Sequence, residues 1–225
     1  MNRKREDFYI KKVGKRGGID IWIVDGPIIR RDTEKDFTNF GQHFRFSFIP
    51  KNEFWLDKEA SQNERSFFID HLLVENKLMG KGMPYSEALD IADKKEISER
   101  KKIDCLKISS SKKDDGSFDF DKIHKHFLGK TKDSISVWVV DGRLVRDIFD
   151  IDFTEGGHDL VYDYVPENEV WVDDDIYEKE RNFVLLHELF ERSLMKKGYS
   201  YDNAHNEASE IEWEARHSNS KLKNS

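Results

Sequence analysis

The chain carries the stretch WIVDG at residues 22–26 and, with one change, again as WVVDG at residues 138–142. The match extends without a gap on both sides, so that residues 19–100 align with residues 135–216 at a constant offset of 116. About 30 of the 82 aligned positions are identical, far above chance for unrelated segments. The sequence is therefore an internal tandem duplication, and two similar structural units are expected.

Hydrophobic periodicity predicts the same strands in each repeat. In the first repeat apolar residues alternate at residues 19–24 and 44–48, and a turn at Pro50-Lys51-Asn52 leads into a further strand at residues 53–56. Such alternation is typical of half-buried strands. The Asp25-Gly26 pair is typical of a tight turn, which predicts a further strand at residues 28–30. Each repeat is thus expected to begin with a four-stranded antiparallel sheet.

The second half of each repeat has a helical pattern. Apolar residues recur with a period near 3.6 from about Glu64 to Met79. The pattern ends at Gly82 and restarts at Pro84, a favoured residue in the first turn of a helix. The sequence therefore predicts an α+β fold, a tandem duplication in which each repeat is a four-stranded antiparallel sheet followed by an α-helical hairpin.

The expected domain boundaries follow from the duplication. Residues 1–102 hold the first repeat and residues 133–218 the second. Residues 103–132 lie between them and include the polar stretch SSSKKDDG at residues 109–116, which is typical of a linker. Residues 219–225 are polar and terminal, so they are expected to form a disordered tail.

Composition excludes several classes of protein. Of the 225 residues 37% are charged, but 12% are aromatic, which is too many for a disordered chain. The net charge of -7 argues against general nucleic-acid binding, because such proteins present a basic face. No apolar run has the length of a membrane span or of a secretory signal. Cys105 is the single cysteine, which excludes an intrachain disulfide, and a cytoplasmic protein is predicted.

Comparison of the repeats with each other singles out three polar side chains of the second copy. The aligned pairs are Glu188 with Leu72, His205 with Leu89, and His158 with Gln42. By contrast, His187 and Glu191 keep the counterparts His71 and Glu75. We therefore expect the site in the second repeat, and a decayed first repeat that serves as a scaffold or substrate platform.

The spacing of these residues predicts a metal centre. Side chains four apart on a helix share a face, so His187 and Glu191 point the same way. His205 lies near the start of the next helix, which folds back antiparallel, and the three groups are expected to converge. Two imidazoles and a carboxylate suit zinc or a related divalent ion. Glu188 would then act as a general base, and His158 would polarise the substrate or stabilise the transition state.

The helix segment His187-Glu188-x-x-Glu191 resembles the zincin-like metallohydrolases, in which a His-Glu-x-x-His helix follows an edge strand and a third ligand comes from downstream. The resemblance covers about 40 residues. It matches His187 to the first ligand and Glu188 to the general base, and it departs at Glu191, where that family has its second histidine. The resemblance implies a metal-dependent hydrolase of peptidase or amidase type.

The same residues also fit other interpretations. The His187 and Glu191 pair is typical of a structural hydrogen bond as well, since the first repeat keeps it. Glu188 alone fits a solvated helix face, His205 a surface or capping histidine, and His158 a plain turn. The alternative function is a non-catalytic protein in which the two repeats hold an unknown partner.

Overall fold

Each half of the chain folds into the same succession of elements in a computed structural model, which describes residues 5–222. One unit ends at Ser110 and the other begins at Ser111. The first unit contains β1 (Tyr9–Arg16), β2 (Ile19–Val24), α1 (Gly26–Asp32), β3 (Phe40–Gln42), β4 (Glu53–Asp57), α2 (Arg65–Met79), α3 (Tyr85–Ile103) and α4 (Cys105–Ser110). The second contains β5 (His124–Lys130), β6 (Ser136–Val140), α5 (Gly142–Ile148), β7 (Gly156–His158), β8 (Glu169–Asp173), α6 (Glu178–Lys196) and α7 (Tyr201–Leu222).

The α+β fold of two similar units is confirmed, but the sheets are mixed, and the prediction of purely antiparallel sheets was wrong. The strand order is β1-β2-β4-β3 in the first unit and β5-β6-β8-β7 in the second. The central pairs β2 with β4 and β6 with β8 are parallel, and the outer pairs are antiparallel. The helical hairpins formed by α2 with α3 and by α6 with α7 match the prediction.

The parallel pairing arises because the Asp-Gly pair starts a helix and not a hairpin. Asp25 caps α1 by accepting a hydrogen bond from the Ile28 N–H, at 3.3 Å. Gly26 brings the backbone against Asp57, whose Oδ1 accepts the Gly26 N–H at 3.2 Å, and a Cβ on Gly26 would lie 1.7 Å from Asp57 Oδ2. Residues 28–30 therefore belong to a crossover helix, and a crossover is what parallel neighbours require.

The alternating phenylalanines after β3 do not form a strand. The Phe46 N–H donates to the Gln42 carbonyl at 3.0 Å, which folds residues 43–49 into successive turns. Phe46 is buried against Phe37, whereas Phe44 is 47% exposed. The alternation of phenylalanine with polar residues at positions 44–48 therefore reflects side-chain packing within a loop and not a strand.

The fourth strand of each sheet lies outside the aligned region. β1 and β5 precede the repeats as charged, largely exposed edge strands, a composition that discourages pairing with other chains. The segment 103–132, expected as a linker, thus contains α4 and the edge strand β5. Exposure of most β5 side chains explains why no apolar alternation marked it.

Two apolar layers cover the faces of the first sheet. On one face Val24 and Trp55 pack with Ile29 of α1. On the other face Ile21 and Leu56 pack with residues of α2 such as Leu72. Because neighbouring strand residues point to opposite faces, one strand serves both layers. The helical hairpin is held on one face by this packing.

A buried ion-pair cluster anchors α1 to the sheet. The Arg30 guanidinium donates to Asp57 Oδ2 at 2.7 Å, to the Phe37 carbonyl at 3.1 Å and to Glu59. Arg146 repeats the contacts with an aspartate and a carbonyl in the second unit. The clusters satisfy charges that would otherwise be costly to bury.

Helix α7 extends through Leu222 and so enters the segment 219–225 that was expected to be a disordered tail, while residues 223–225 lie outside the described residues. Among the described residues, no helix combines the length and the apolar character that crossing a membrane requires.

Candidate metal centre

The candidate centre lies in the second unit, where α6 meets the first turns of α7. Glu191 and His187 lie one turn apart on α6, and His205 faces them from α7. His187 Nε2 is 3.3 Å from Glu191 Oε2, His205 Nδ1 is 2.8 Å from the same oxygen, and the two nitrogens are 3.2 Å apart. The three proposed ligands therefore meet with one donor atom each.

These distances fit a single divalent ion. Tetrahedral zinc with bonds of about 2.0–2.1 Å holds its ligand atoms about 3.3 Å apart. The donor set of two imidazole nitrogens and one carboxylate oxygen is also one that zinc accepts in catalytic sites, where a fourth position stays open. The residues present thus fit the ion that their chemistry implies.

A chain of charged side chains orients His187. Its Nδ1 donates to Glu212 Oε2 at 3.1 Å, which directs Nε2 towards Glu191. Arg216 Nε in turn donates to Glu212 Oε1 at 2.9 Å, and Arg216 also pairs with Glu180. A carboxylate on the far nitrogen is the usual partner of a metal-binding histidine, because it fixes the ring and its proton.

The first unit has the same series of hydrogen-bonded charged side chains, but it lacks a counterpart of His205, the third proposed ligand. His71 Nδ1 lies 3.0 Å from Glu96 Oε2, and Arg100 Nε donates to Glu96 Oε1 at 2.8 Å. His71 Nε2 faces Glu75 at 3.4 Å, but Leu89 stands where the second unit has His205. Among the described residues the first unit has no group of three such donors. The histidine, glutamate and arginine that both units share therefore form a structural framework. His205 and Glu188 distinguish the second copy from the first.

The charges around His71 give the first unit a pH-dependent stability. Burial lowers the pKa of His71, but hydrogen bonds with Glu75 and Glu96 outweigh burial and raise it to about 9, and Asp93 lies 3.5 Å away. Because the pKa of His71 is higher in the folded than in the unfolded chain, where it is about 6.5, protonation of His71 stabilises the folded state. This stabilisation is fully present below about pH 6.5 and is lost as the pH rises through about 9. We expect the free energy of unfolding to fall by about 3 kcal/mol over this range.

Two measurements check this expectation. NMR titration of the His71 ring, assigned with His71→Gln, should give a midpoint near 9. In urea unfolding, the stability advantage of the wild type over His71→Gln should shrink between about pH 6.5 and about pH 10, a comparison in which the contribution of His187 is common to both proteins. A ring that titrates near its ordinary value contradicts the argument.

Burial and hydrogen bonds together set the ionisation of Glu191 and His187, two of the proposed ligands. Burial raises the pKa of Glu191, but hydrogen bonds from His158, His187 and His205 outweigh burial and hold it well below its usual range. Burial lowers the pKa of His187, but hydrogen bonds with Glu191 and Glu212 raise it to about 10. Glu191 is therefore an anion, and a metal must displace the His187 proton to bind.

A cleft of about 110 Å³ opens beside these groups. The side chains that line it include all three proposed ligands, Glu188, Tyr162 and Tyr201. Gly156 forms part of the wall, since a Cβ there would lie 2.9 Å from Val184 Cγ1 and 3.1 Å from Glu188 Cγ. The proposed ligands are thus reachable by a small group from outside.

The first unit fills the corresponding space with an aromatic ring. Phe40 stands at the position of Gly156, and its ring centroid lies 4.7 Å from that of Phe68 and 5.1 Å from that of His71. Phe68 itself aligns with the smaller Val184. Side-chain size therefore separates a covered histidine in the first copy from one beside a cleft in the second.

Glu188 lines the cleft on the turn of α6 that carries His187. Burial raises its pKa to about 8, with Glu191 and Glu212 adding to the rise and His187 opposing it. A carboxyl group with a pKa near neutrality can both take up and release a proton in this environment.

His158 lies behind Glu191 and is not among the residues that line the cleft. The ring is fully buried, with Nε2 3.0 Å from Glu191 Oε1 and Nδ1 accepting the Leu160 N–H at 3.2 Å. Both ring nitrogens are engaged inside the protein, whereas the role predicted from the sequence, contact with a substrate, would need one of them at the cleft surface.

Two cleft residues escaped the sequence comparison although it contained their signal. Tyr162 aligns with Phe46 and Gly156 with Phe40, so each differs between the copies as His205 and Glu188 do. Burial, together with the charge of Glu188, raises the pKa of Tyr162, which keeps its hydroxyl protonated. Tyr162 lines the cleft, and its protonated hydroxyl can donate a hydrogen bond.

Comparison with known proteins finds no match to this chain among family models, curated proteins or solved structures.

Proposed function

We propose that the second unit is a metal-dependent hydrolase that binds a divalent ion such as zinc through His187, Glu191 and His205 and cleaves an amide or peptide bond. The observation that carries the proposal is the meeting of three donor atoms, 2.8 to 3.3 Å apart, at the edge of a cleft. The first copy has neither the third ligand nor the glycine in the cleft wall.

A bound divalent ion would supply Lewis acidity, polarising a carbonyl oxygen and lowering the pKa of water. Glu188, beside the ligands in the cleft wall, takes the proton of the attacking water and passes it to the leaving amine. The Tyr162 hydroxyl donates a hydrogen bond to the oxygen on which negative charge develops. Glu212 and Arg216 hold the ring of His187 in the orientation that binding requires.

The metal-binding step is tested by calorimetric titration of the metal-stripped protein with zinc. We expect one ion per chain and, in His205→Leu, a loss of affinity of about a hundredfold or more, because the variant lacks one of the three proposed protein ligands. The variant should stay folded, since Leu89 occupies this position in the first unit.

His71→Ala is the matched control, because it removes a helix histidine outside the proposed centre and should leave zinc affinity unchanged. A wild-type chain that binds no zinc, or a His205→Leu variant that binds it as tightly as the wild type, overturns the proposal. The non-catalytic binding protein would then be the better account of the duplication.

A further inference from the structure

We infer that His158 is a positioning residue that fixes the carboxylate of Glu191 for a single metal ion, and that it is not itself a ligand. The inference rests on the proposed function, because it concerns the same centre. It bears on a real alternative: His158, Glu188 and Glu191 offer three donor atoms within 4.8 Å of one another, which suggests a second ion.

The direction of one hydrogen bond argues against that second ion. The Leu160 N–H points at His158 Nδ1 from 3.2 Å, and a backbone N–H can only donate. Nδ1 must therefore carry a lone pair, and the neutral ring has its proton on Nε2. A metal bound at Nε2 would need that nitrogen bare and would move the proton to Nδ1, against the Leu160 N–H.

The proton on Nε2 has a partner already. Nε2 donates to Glu191 Oε1 at 3.0 Å, while His187 and His205 face the other oxygen, Oε2. Each oxygen of Glu191 thus has its own partners, His158 for Oε1 and the other two histidines for Oε2. With Oε1 held from behind, Oε2 is presented to the ion, and Glu188 is left free to handle protons.

The first unit supports this assignment independently. Gln42 stands at the position of His158, and its Oε1 accepts the Phe44 N–H at 3.0 Å, just as Nδ1 accepts that of Leu160. The Gln42 amide nitrogen donates to Glu75 Oε1, as His158 Nε2 does to Glu191 Oε1. The amide of Gln42 thus makes both hydrogen bonds that His158 makes. An amide NH₂ group has no lone pair with which to bind a metal, so these bonds do not require a metal ligand at this position.

The test replaces His158 by the residue of the first copy and follows metal binding directly. Cobalt(II), added to the metal-stripped protein, is the probe, and its visible absorption spectrum reports the ligand set. We expect His158→Gln to bind one cobalt per chain with the wild-type spectrum. We expect His158→Leu, which removes the donor to Oε1, to lose affinity about 10- to 100-fold.

Circular dichroism establishes that both variants are folded, and Gln42→Leu, the matched change in the first unit, should leave cobalt binding unchanged. Two ions in the wild type with one lost in His158→Gln, or a His158→Gln variant as weak as His158→Leu, overturns the inference alone. A wild-type chain that binds no cobalt and no zinc overturns the proposed function and the inference with it.

Discussion

Glu188→Gln is expected to lower the rate of amide hydrolysis by about 10²- to 10⁴-fold while the metal content stays unchanged, because it removes a proton carrier but no ligand. The carboxyl group lies in the cleft wall next to the two proposed ligands on α6, His187 and Glu191. Glutamine keeps the size of the side chain and its contacts with Gly156, so a change in rate reports the lost proton transfer. Turnover of a quenched fluorescent peptide library by the zinc-loaded chain is the measurement.

Glu207→Gln provides the control, since it neutralises an exposed glutamate on α7 of the same hairpin and should leave turnover unaltered. Equal rates in wild type and Glu188→Gln would remove Glu188 from the mechanism. A simultaneous loss of zinc would show that Glu188 is a ligand, contrary to the assignment of His187, Glu191 and His205.

Arg30→Ala is expected to reduce the free energy of unfolding by about 3–5 kcal/mol, because it removes a cation that two buried carboxylates share. Asp57 and Glu59 both pair with Arg30, and both are almost completely buried. The Phe37 carbonyl loses its donor as well. Urea denaturation followed by tryptophan fluorescence measures the effect.

The neighbouring arginine of the same helix is the control. Arg31 pairs with Asp32 near the surface, where an ion pair contributes about 0–1 kcal/mol, so Arg31→Ala should have a small effect. Equal losses in the two variants would mean that burial of the Arg30 cluster does not determine its contribution. Arg146→Ala, at the equivalent position of the second unit, should behave as Arg30→Ala does.

The sequence allowed the helical hairpins of α2 with α3 and of α6 with α7, and the central strands, to be predicted, because their apolar periods reflect burial directly. It did not allow the mixed topology to be predicted, since an Asp-Gly pair fits both a hairpin turn and a helix start. The choice depends on Asp57, a carboxylate far along the chain that closes on the Gly26 backbone. Edge strand β5 escaped because most of its side chains face solvent.

The candidate site divides in the same way. Helix spacing and the comparison of the copies were enough to predict that His187, Glu191 and His205 lie close together. The position of His158 was not predictable from the sequence, because its two hydrogen bonds are made with the Leu160 backbone and with a carboxylate oxygen of Glu191 on a distant helix. A glutamine in the first copy looked like the loss of a function, yet the structure gives it the same two bonds.

Phe40 and Gly156 have a consequence for how such a protein can evolve. Their strands pair with the neighbouring strand in the same register, Phe40 opposite Leu56 and Gly156 opposite Val172. The backbone therefore tolerates either a ring or a hydrogen atom at this point. After a gene duplication, one descendant can acquire or abandon a reaction centre through a few changes in side-chain volume, while natural selection for folding continues to act on both.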